Sequence, residues 1–493
     1  MTTSSTSPQD FAWASEMVFE PRPAAPVREH SVINWYLIAL GLIYVIWSWA
    51  HLPSSIWARS LLACYLIWRM KPDVIIPFML TGLQLRLQFG QADDFANMQT
   101  ITEQLTGFEQ YAFMAPCILY AIRTFVAALS ARAARRAEFP FGLYLLYLFG
   151  MLFVLVGAVL AIGTGGWTSG LRTYCLVGLY FYGLLLPACS QRQMTQLAVA
   201  FSAVGMAVLT AANTIGFGSR QLWVLLPFAG SFAPILVLRA ARPMHVLLAA
   251  LYSLAGFTFA FGATFTVQML WLWNMVAGIC LGPSRARSVR ATMIVALTYS
   301  LFVFSLGLLL YGAFAHDPTR EAMEASWSGT TYERLNYKLC GDRGPIWWGA
   351  MLELVENPTL CGVPAPKYMM RSHGKETIWK FSTHNIVLDP LLRLGIVAGP
   401  ILLIVLVHAV LVAKNAVMNE SSLGVVVIAL AVISNIVLGG ATLPYMLSDR
   451  EAEHMLMAAG LLGVYGIGRR AIPKRVSPAP DWSASDHRVR PAA

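Results

Sequence analysis

The chain has 493 residues, of which 57% are hydrophobic and only 12% charged, and its mean hydropathy is +0.60. A soluble globular protein carries about twice that charged fraction, so a water-soluble enzyme or binding module is excluded. The net charge of +10 comes without a basic-aromatic surface module, which excludes nucleic acid as a partner and leaves positive charge in membrane loops as its explanation.

Residues 1–31 are polar and Pro-rich and lack the apolar core of a signal peptide. They read as a disordered cytoplasmic tail. Apolar stretches of bilayer length follow at about 32–50, 55–69, 73–90, 109–130, 141–162, 172–189, 195–213, 221–238, 243–262, 264–281, 291–314, 391–413, 423–441 and 452–468. The pattern predicts an all-α polytopic membrane protein with roughly 12–14 transmembrane helices, a first bundle over 32–314 and C-terminal helices over 391–468. Residues 469–493 read as a second disordered cytoplasmic tail.

Positive charge orients the spans. Arg69 and Lys71, Arg132 with Arg135 and Arg136, Arg192, Arg239 with Arg242, Arg285 with Arg287 and Arg290, Lys414, and Arg469 with Arg470 fall in alternate connections. Those connections and both termini are expected in the cytoplasm. Arg86, Arg123 and Arg172 fall at or within spans; for Arg123, the deepest, a conduit and a structural pairing are equal alternatives.

One long hydrophilic connection, residues 315–390, falls on the opposite, periplasmic side. Loops of this length are usually functional or disordered, and this one is rich in Trp, Tyr and Pro. Within it "DRGPIWWGAMLELVENP" predicts a helix: Asp342 as cap, Pro345 in the first turn, apolar residues at helical spacing, and Asn357–Pro358 as the stop. Its apolar face is expected along the membrane surface. Cys340 and Cys361 flank this helix and, in an oxidising compartment, are candidates for a disulfide. The five other cysteines lie in or beside spans and read as packing residues.

The loop ends in "FSTHNIVLDPLLRLGIVAG", residues 381–399, with His384 and Asn385 where polar chain meets apolar span. The bland reading is an interfacial histidine beside a helix start. Ionisable groups near membrane depth raise the functional one. Helical spacing puts His384, Leu388, Leu391 and Gly395 on one face, where the glycine would admit a neighbouring helix. Asp389 and Arg393 have the spacing of an ion pair. His373, in "MMRSHGKETIWK", reads as a solvated loop histidine.

Arg343-Gly-Pro-Ile-Trp347, then "ENPTLCGV", then His384-Asn385, nine residues and Gly395 together resemble the O-antigen ligase and polymerase superfamily of bacterial envelope glycosyltransferases. That family carries an Arg-x3-Trp element, an Asn-Pro and glycine turn, and a His-Asn-x9-Gly element in a long periplasmic loop. The resemblance covers about 80 residues. It departs at the end, where the ligase pattern has Gly, Thr or Tyr and this chain has Ala398, with Gly399 next. "GFGSRQLW" supplies Ser219-Arg220, similar to the family's Ser-Arg pair, although four spans rather than two separate it from the loop.

The resemblance implies a GT-C-like glycosyltransferase of the bacterial inner membrane with its active site in the periplasm. The donor would be an undecaprenyl-pyrophosphate-linked glycan, and the acceptor a growing glycan or the lipid A core. A flippase and a chain-length regulator are its candidate partners. Arg343 and Arg220 would hold the pyrophosphate leaving group. His384 would take the acceptor hydroxyl proton, since imidazole titrates near neutral pH. Asn385 would orient substrate or helix, and Trp347 would line the substrate site. The chemistry would be inverting, with no metal and no cofactor. Polymerase, ligase and protein glycosylase remain open, with polymerase slightly favoured. The rivals are a lipid-linked oligosaccharide flippase or other multi-span transporter, from which one long outer loop and asymmetric halves differ, and a non-catalytic envelope assembly protein.

Overall fold

The structure, a computed structural model, describes residues 31–49, 55–80, 107–133, 139–160, 167–215, 247, 251, 254, 265–281, 286–315, 333, 339–340, 343–362, 368–372, 375–379, 383, 385–419, 422–439 and 452–468. Both predicted tails (but for Ser31), the span at 221–238 and nearly all of that at 243–262 lie outside these residues.

Where they are described, the predicted apolar stretches are helical, because a chain in an apolar medium must satisfy its backbone within each segment. In chain order these are α1 (Trp35–Trp49), α2 (Ser55–Arg69), α3 (Gly107–Ala133), α4 (Phe141–Leu160), α5 (Trp167–Leu185), α6 (Gln191–Ile215), α7 (Phe265–Cys280) and α8 (Arg287–Phe314). The loop contributes α9 (Gly344–Glu356), followed by α10 (Leu388–Asn419), α11 (Leu423–Ser434) running into a wide turn at Asn435–Gly439, and α12 (Ala452–Gly468). The described part of the stretch at 73–90 is a 3-10 turn, Pro72–Val74, and a helix reaching residue 80. The all-α expectation needs one amendment. Tyr368–Ser372 (β1) and Lys375–Trp379 (β2) pair antiparallel with Ser372 opposite Lys375, leaving His373 and Gly374 between the strands. A two-residue link ending in glycine suits a tight hairpin, and "YMMRS" and "KETIW" carry little helical periodicity.

Among the described residues, α4, α8 and α10 are long and apolar enough to cross a membrane. Their outer surfaces agree. Leu152, Val159 and Leu160 on α4 and Val303 and Phe314 on α8 are exposed, while Tyr144, Tyr147 and Gly150 of α4 face inward. Apolar outside and polar inside is the reverse of a soluble helix. The chain is a helical membrane protein.

At the centre lies α11, buried at every position from Gly424 to Ser434 and packed on α6, α10 and α12. A close crossing joins α5 to α12. A Cβ on Gly183 would fall 2.4 Å from the Met457 carbonyl oxygen, and one on Gly460 would fall 2.3 Å from that of Tyr180. Small residues let these backbones meet where no hydrophobic force drives association. Tyr147 and Tyr174 lock α4 to α5: each hydroxyl donates to the other residue's carbonyl at 3.0 Å, and the rings stack at 4.8 Å.

Arg123 takes the structural of its two alternatives. Its Nη2 donates to the Trp68 carbonyl at 2.9 Å, and its guanidinium lies 4.7 Å over the Trp68 ring. The Tyr182 hydroxyl donates to the neighbouring Ile67 carbonyl at 3.0 Å. These side chains serve carbonyls that the end of α2 leaves open, as the chain turns away through Met70 at φ 46°.

Candidate functional site

The Arg-x3-Trp segment forms the start of α9. Gly344 and Pro345 open the helix, with Arg343, half-buried, in the N-cap position and making no side-chain cap bond. This shifts the cap one residue from the expected Asp342, which lies outside the described residues. Pro345 sits where its missing N–H leaves no helical bond unmade. The helix stops where expected, with the Asn357 N–H bonded to the Glu353 carbonyl.

The apolar face of α9 does not lie along the membrane surface. Ile346, Trp347 and Ala350 pack with Leu309 and Ala313 of α8 and with Leu388 and Leu392 of α10, leaving Val355 exposed on the other side. Gly312 of α8 makes the slot for Trp347: a Cβ there would fall 2.6 Å from the indole ring.

Trp347 is fully buried, and its Nε1 donates to the Thr383 carbonyl at 2.9 Å. Thr383 is itself held twice by Asp389, whose Oδ1 accepts from the Thr383 N–H at 2.6 Å and from its hydroxyl at 2.7 Å. Asn385 then starts α10, its Oδ1 accepting from the backbone N–H of Val387 at 2.8 Å and of Leu388 at 3.1 Å. Asparagine suits such a cap because its short side chain reaches open N–H groups. Thr383, Asn385 and Asp389 are all buried. Thus the residues on both sides of His384 are clamped, one by α9 and one by α10.

Gly395 is not part of a continuous helical face. It has φ 79° and ψ 179° and divides α10 into residues 388–394 and 396–419. Nine residues along a straight helix rise about 13.5 Å, yet a Cβ on Gly399 would fall 2.8 Å from the Pro390 carbonyl oxygen. The first piece therefore doubles back against the second. The glycine expected to admit a neighbouring helix instead makes the reversal, a conformation that only glycine adopts without strain. The Asn-Pro segment fills the angle. The Thr359 carbonyl accepts from the Ile396 N–H at 2.9 Å, and Gly362, also left-handed at φ 76°, lies against the backbone of Arg393 and Leu394.

The structure thus brings together Arg343-x3-Trp347, the Asn357–Gly362 turn, Asn385 and Gly395. His384 and Arg220 lie outside the described residues, and so does His373. Trp347 and Asn385 are both bonded within the protein, which suits positioning. Cys340 and Cys361 are not joined by a disulfide. Cys340 packs in the cluster around Trp347, whereas Cys361 lies against Gly157 of α4, so α9 and its two ends direct them to different neighbours.

Sequence reasoning missed Thr383 as the shared partner of Trp347 and Asp389, and Gly312 as the slot. Asp389 carried a signal, a carboxylate in a helix first turn, but spacing matched it to Arg393. Gly312 carried none, because its role depends on which helix crosses it. As a device, this arrangement holds a short polar segment rigidly at the top of an apolar helix, with a guanidinium one turn before the indole that clamps it. Comparison with known protein families, with characterised proteins and with solved structures found no match.

Proposed function

We propose that this membrane protein is a glycosyltransferase of 12–14 spans that moves a glycan from a polyprenyl-pyrophosphate carrier to an acceptor sugar at the outer face of the bacterial inner membrane. One observation supports it most. The Arg-x3-Trp and Asn-Pro-Gly elements and the Asn385-to-Gly395 part of the third, separate in sequence, form one cluster in which Trp347 and Asp389 hold Thr383, the residue before His384, and Asn385 caps the helix after it.

In this reading His384 is the base that takes the proton from the acceptor hydroxyl as oxygen attacks the anomeric carbon. The bond to the carrier phosphate breaks on the opposite face, and the pyrophosphate leaves with the electron pair. Arg343, with Arg220, stabilises that charge by paired hydrogen bonds to phosphate oxygens. Trp347, Thr383, Asp389 and Asn385 act by positioning. A base within reach and a fixed cation suffice for inversion.

The test is the envelope glycan profile of a null strain carrying His384→Ala or Arg343→Ala, with protein levels checked. Accumulation of long carrier-linked chains identifies a ligase. Single carrier-linked repeats without polymer identify a polymerase. Wild-type profiles for both variants at normal abundance would sink the reading.

A further inference from the structure

The N-terminal end of α8 carries a second cationic feature, on the other end of the helix from Trp347's slot. Arg290 is only 6% exposed, and its Nε and Nη1 have no hydrogen-bond partner. A guanidinium withdrawn from water with open donors is costly, and membrane proteins that keep one give it an anion.

The start of α8 favours negative charge, and neither its cap nor its first turn supplies one. The N-cap is Ala286, which has no side chain able to accept, and the first turn holds no acidic residue. The sequence from Phe265 to Ala315, covering all of α7 and α8, contains no Asp or Glu. The first N–H groups of the helix point out of this end and carry its positive dipole. Side chains on a helix lean toward its N-terminus, so Arg290 is directed at the same spot. Arg287, exposed, adds a second guanidinium one turn earlier and is held there by the Asn419 side chain at the end of α10. Val289, between the two arginines, is 40% exposed, and the outer face of α8 continues apolar through Tyr299 and Val303. The open donors thus lie on the inner face of α8 with Ile294 and Thr298, one residue along from the exposed Val289.

We propose that Arg290 and the first turn of α8 bind a phosphate group, borne by an anionic lipid headgroup or free in solution. A planar fork beside open backbone N–H groups matches phosphate oxygens in number and direction. The apolar neighbours Val289 and Tyr299 would lie alongside acyl chains. This site is separate from the one clamped by Trp347 and does not depend on the glycosyl-transfer reading.

The full-length protein is reconstituted in nanodiscs of phosphatidylcholine alone or with phosphatidylglycerol, and lipid retained after a detergent wash is counted by native mass spectrometry. Wild type is expected to retain phosphatidylglycerol, and Arg290→Leu to lower that retention about ten-fold. Arg287→Gln, which leaves the buried guanidinium in place, lowers it about two-fold. In the phosphatidylcholine discs, inorganic phosphate is titrated while Tm is followed. A rise in wild type that Arg290→Leu abolishes assigns the site to free phosphate, and selective phosphatidylglycerol retention without that rise assigns it to lipid. Should Arg290→Leu fail to accumulate, Arg290→Lys carries the test, since it keeps the charge, loses the fork and should retain less phosphatidylglycerol than wild type. Equal retention in all variants, or a Tm raised by Arg290→Leu equally in both lipids, overturns the proposal.

Discussion

Gly362 and Gly395 sit back to back. Both have left-handed backbones, at φ 76° and 79°, and a Cβ on Gly395 would fall 2.4 Å from the Gly362 nitrogen. A Cβ on Gly362 would fall 2.3 Å from the Arg393 carbonyl oxygen. The Asn-Pro turn of the loop and the reversal in α10 are therefore one joint.

Alanine at either glycine should destabilise the protein by about 3 kcal/mol or more, since positive φ and a backbone clash act together. Gly142, which has no atom within 4 Å of its built Cβ, is the control. Gly142→Ala should change stability by at most about 1 kcal/mol, in the stabilising direction, because it lies in a helix. Thermal unfolding in detergent compares the three, and equal midpoints would remove the joint.

Trp347→Phe keeps an aromatic ring in the Gly312 slot and removes the donor to the Thr383 carbonyl. The expected loss is about 1–3 kcal/mol, from the buried carbonyl left unsatisfied and the smaller ring. Glycan product should fall further than protein abundance, because the chain on one side of His384 is loosened. Product falling only in proportion to abundance would make Trp347 a packing residue alone.

Thr383 and Asp389 should behave as a coupled pair. Thr383→Val removes the hydroxyl donor while keeping the shape, and Asp389→Asn keeps an acceptor while removing the charge. Each should cost about 1–2 kcal/mol. The double variant should cost less than the sum by about 0.5–1.5 kcal/mol. Additive losses would mean that the 2.7 Å contact contributes nothing of its own.

Arg123 offers a contrast with Arg343. Its guanidinium serves the end of α2, so Arg123→Met should lower stability by about 1–2 kcal/mol and leave the glycan profile unchanged at matched abundance. A lost profile would restore the conduit reading of this arginine.

Much of the helical layout was legible because its cause is local. A span must bury its backbone polar groups within itself, so an apolar run of sufficient length becomes a helix whatever its neighbours. α4, α8 and α12 lie within a few residues of their expected bounds. The stop at Asn357 was legible for the same reason. Two local expectations failed. Nine residues of helical spacing after His384-Asn385 suggested a continuous face, yet α10 reverses at Gly395. The strands at 368–372 and 375–379 have no alternating apolar pattern in their sequence, so periodicity did not announce them.

The tertiary structure decided what each recognisable residue is for. Trp347, Asn385 and Gly395 stand out in the sequence, but that the indole holds the carbonyl of Thr383 and that Gly395 meets Gly362 are contacts across 30 or more residues, and that Asp389 reaches back six residues to the Thr383 N–H and hydroxyl is set by the same packing. Periodicity encodes which face of a segment is apolar and says nothing of what crosses it. Length, hydropathy and charge placement sufficed to make this chain a helical membrane protein. Only the packing of α8, α9 and α10 drew its scattered polar residues to one place, because side chains this short reach a partner only after the backbones have met.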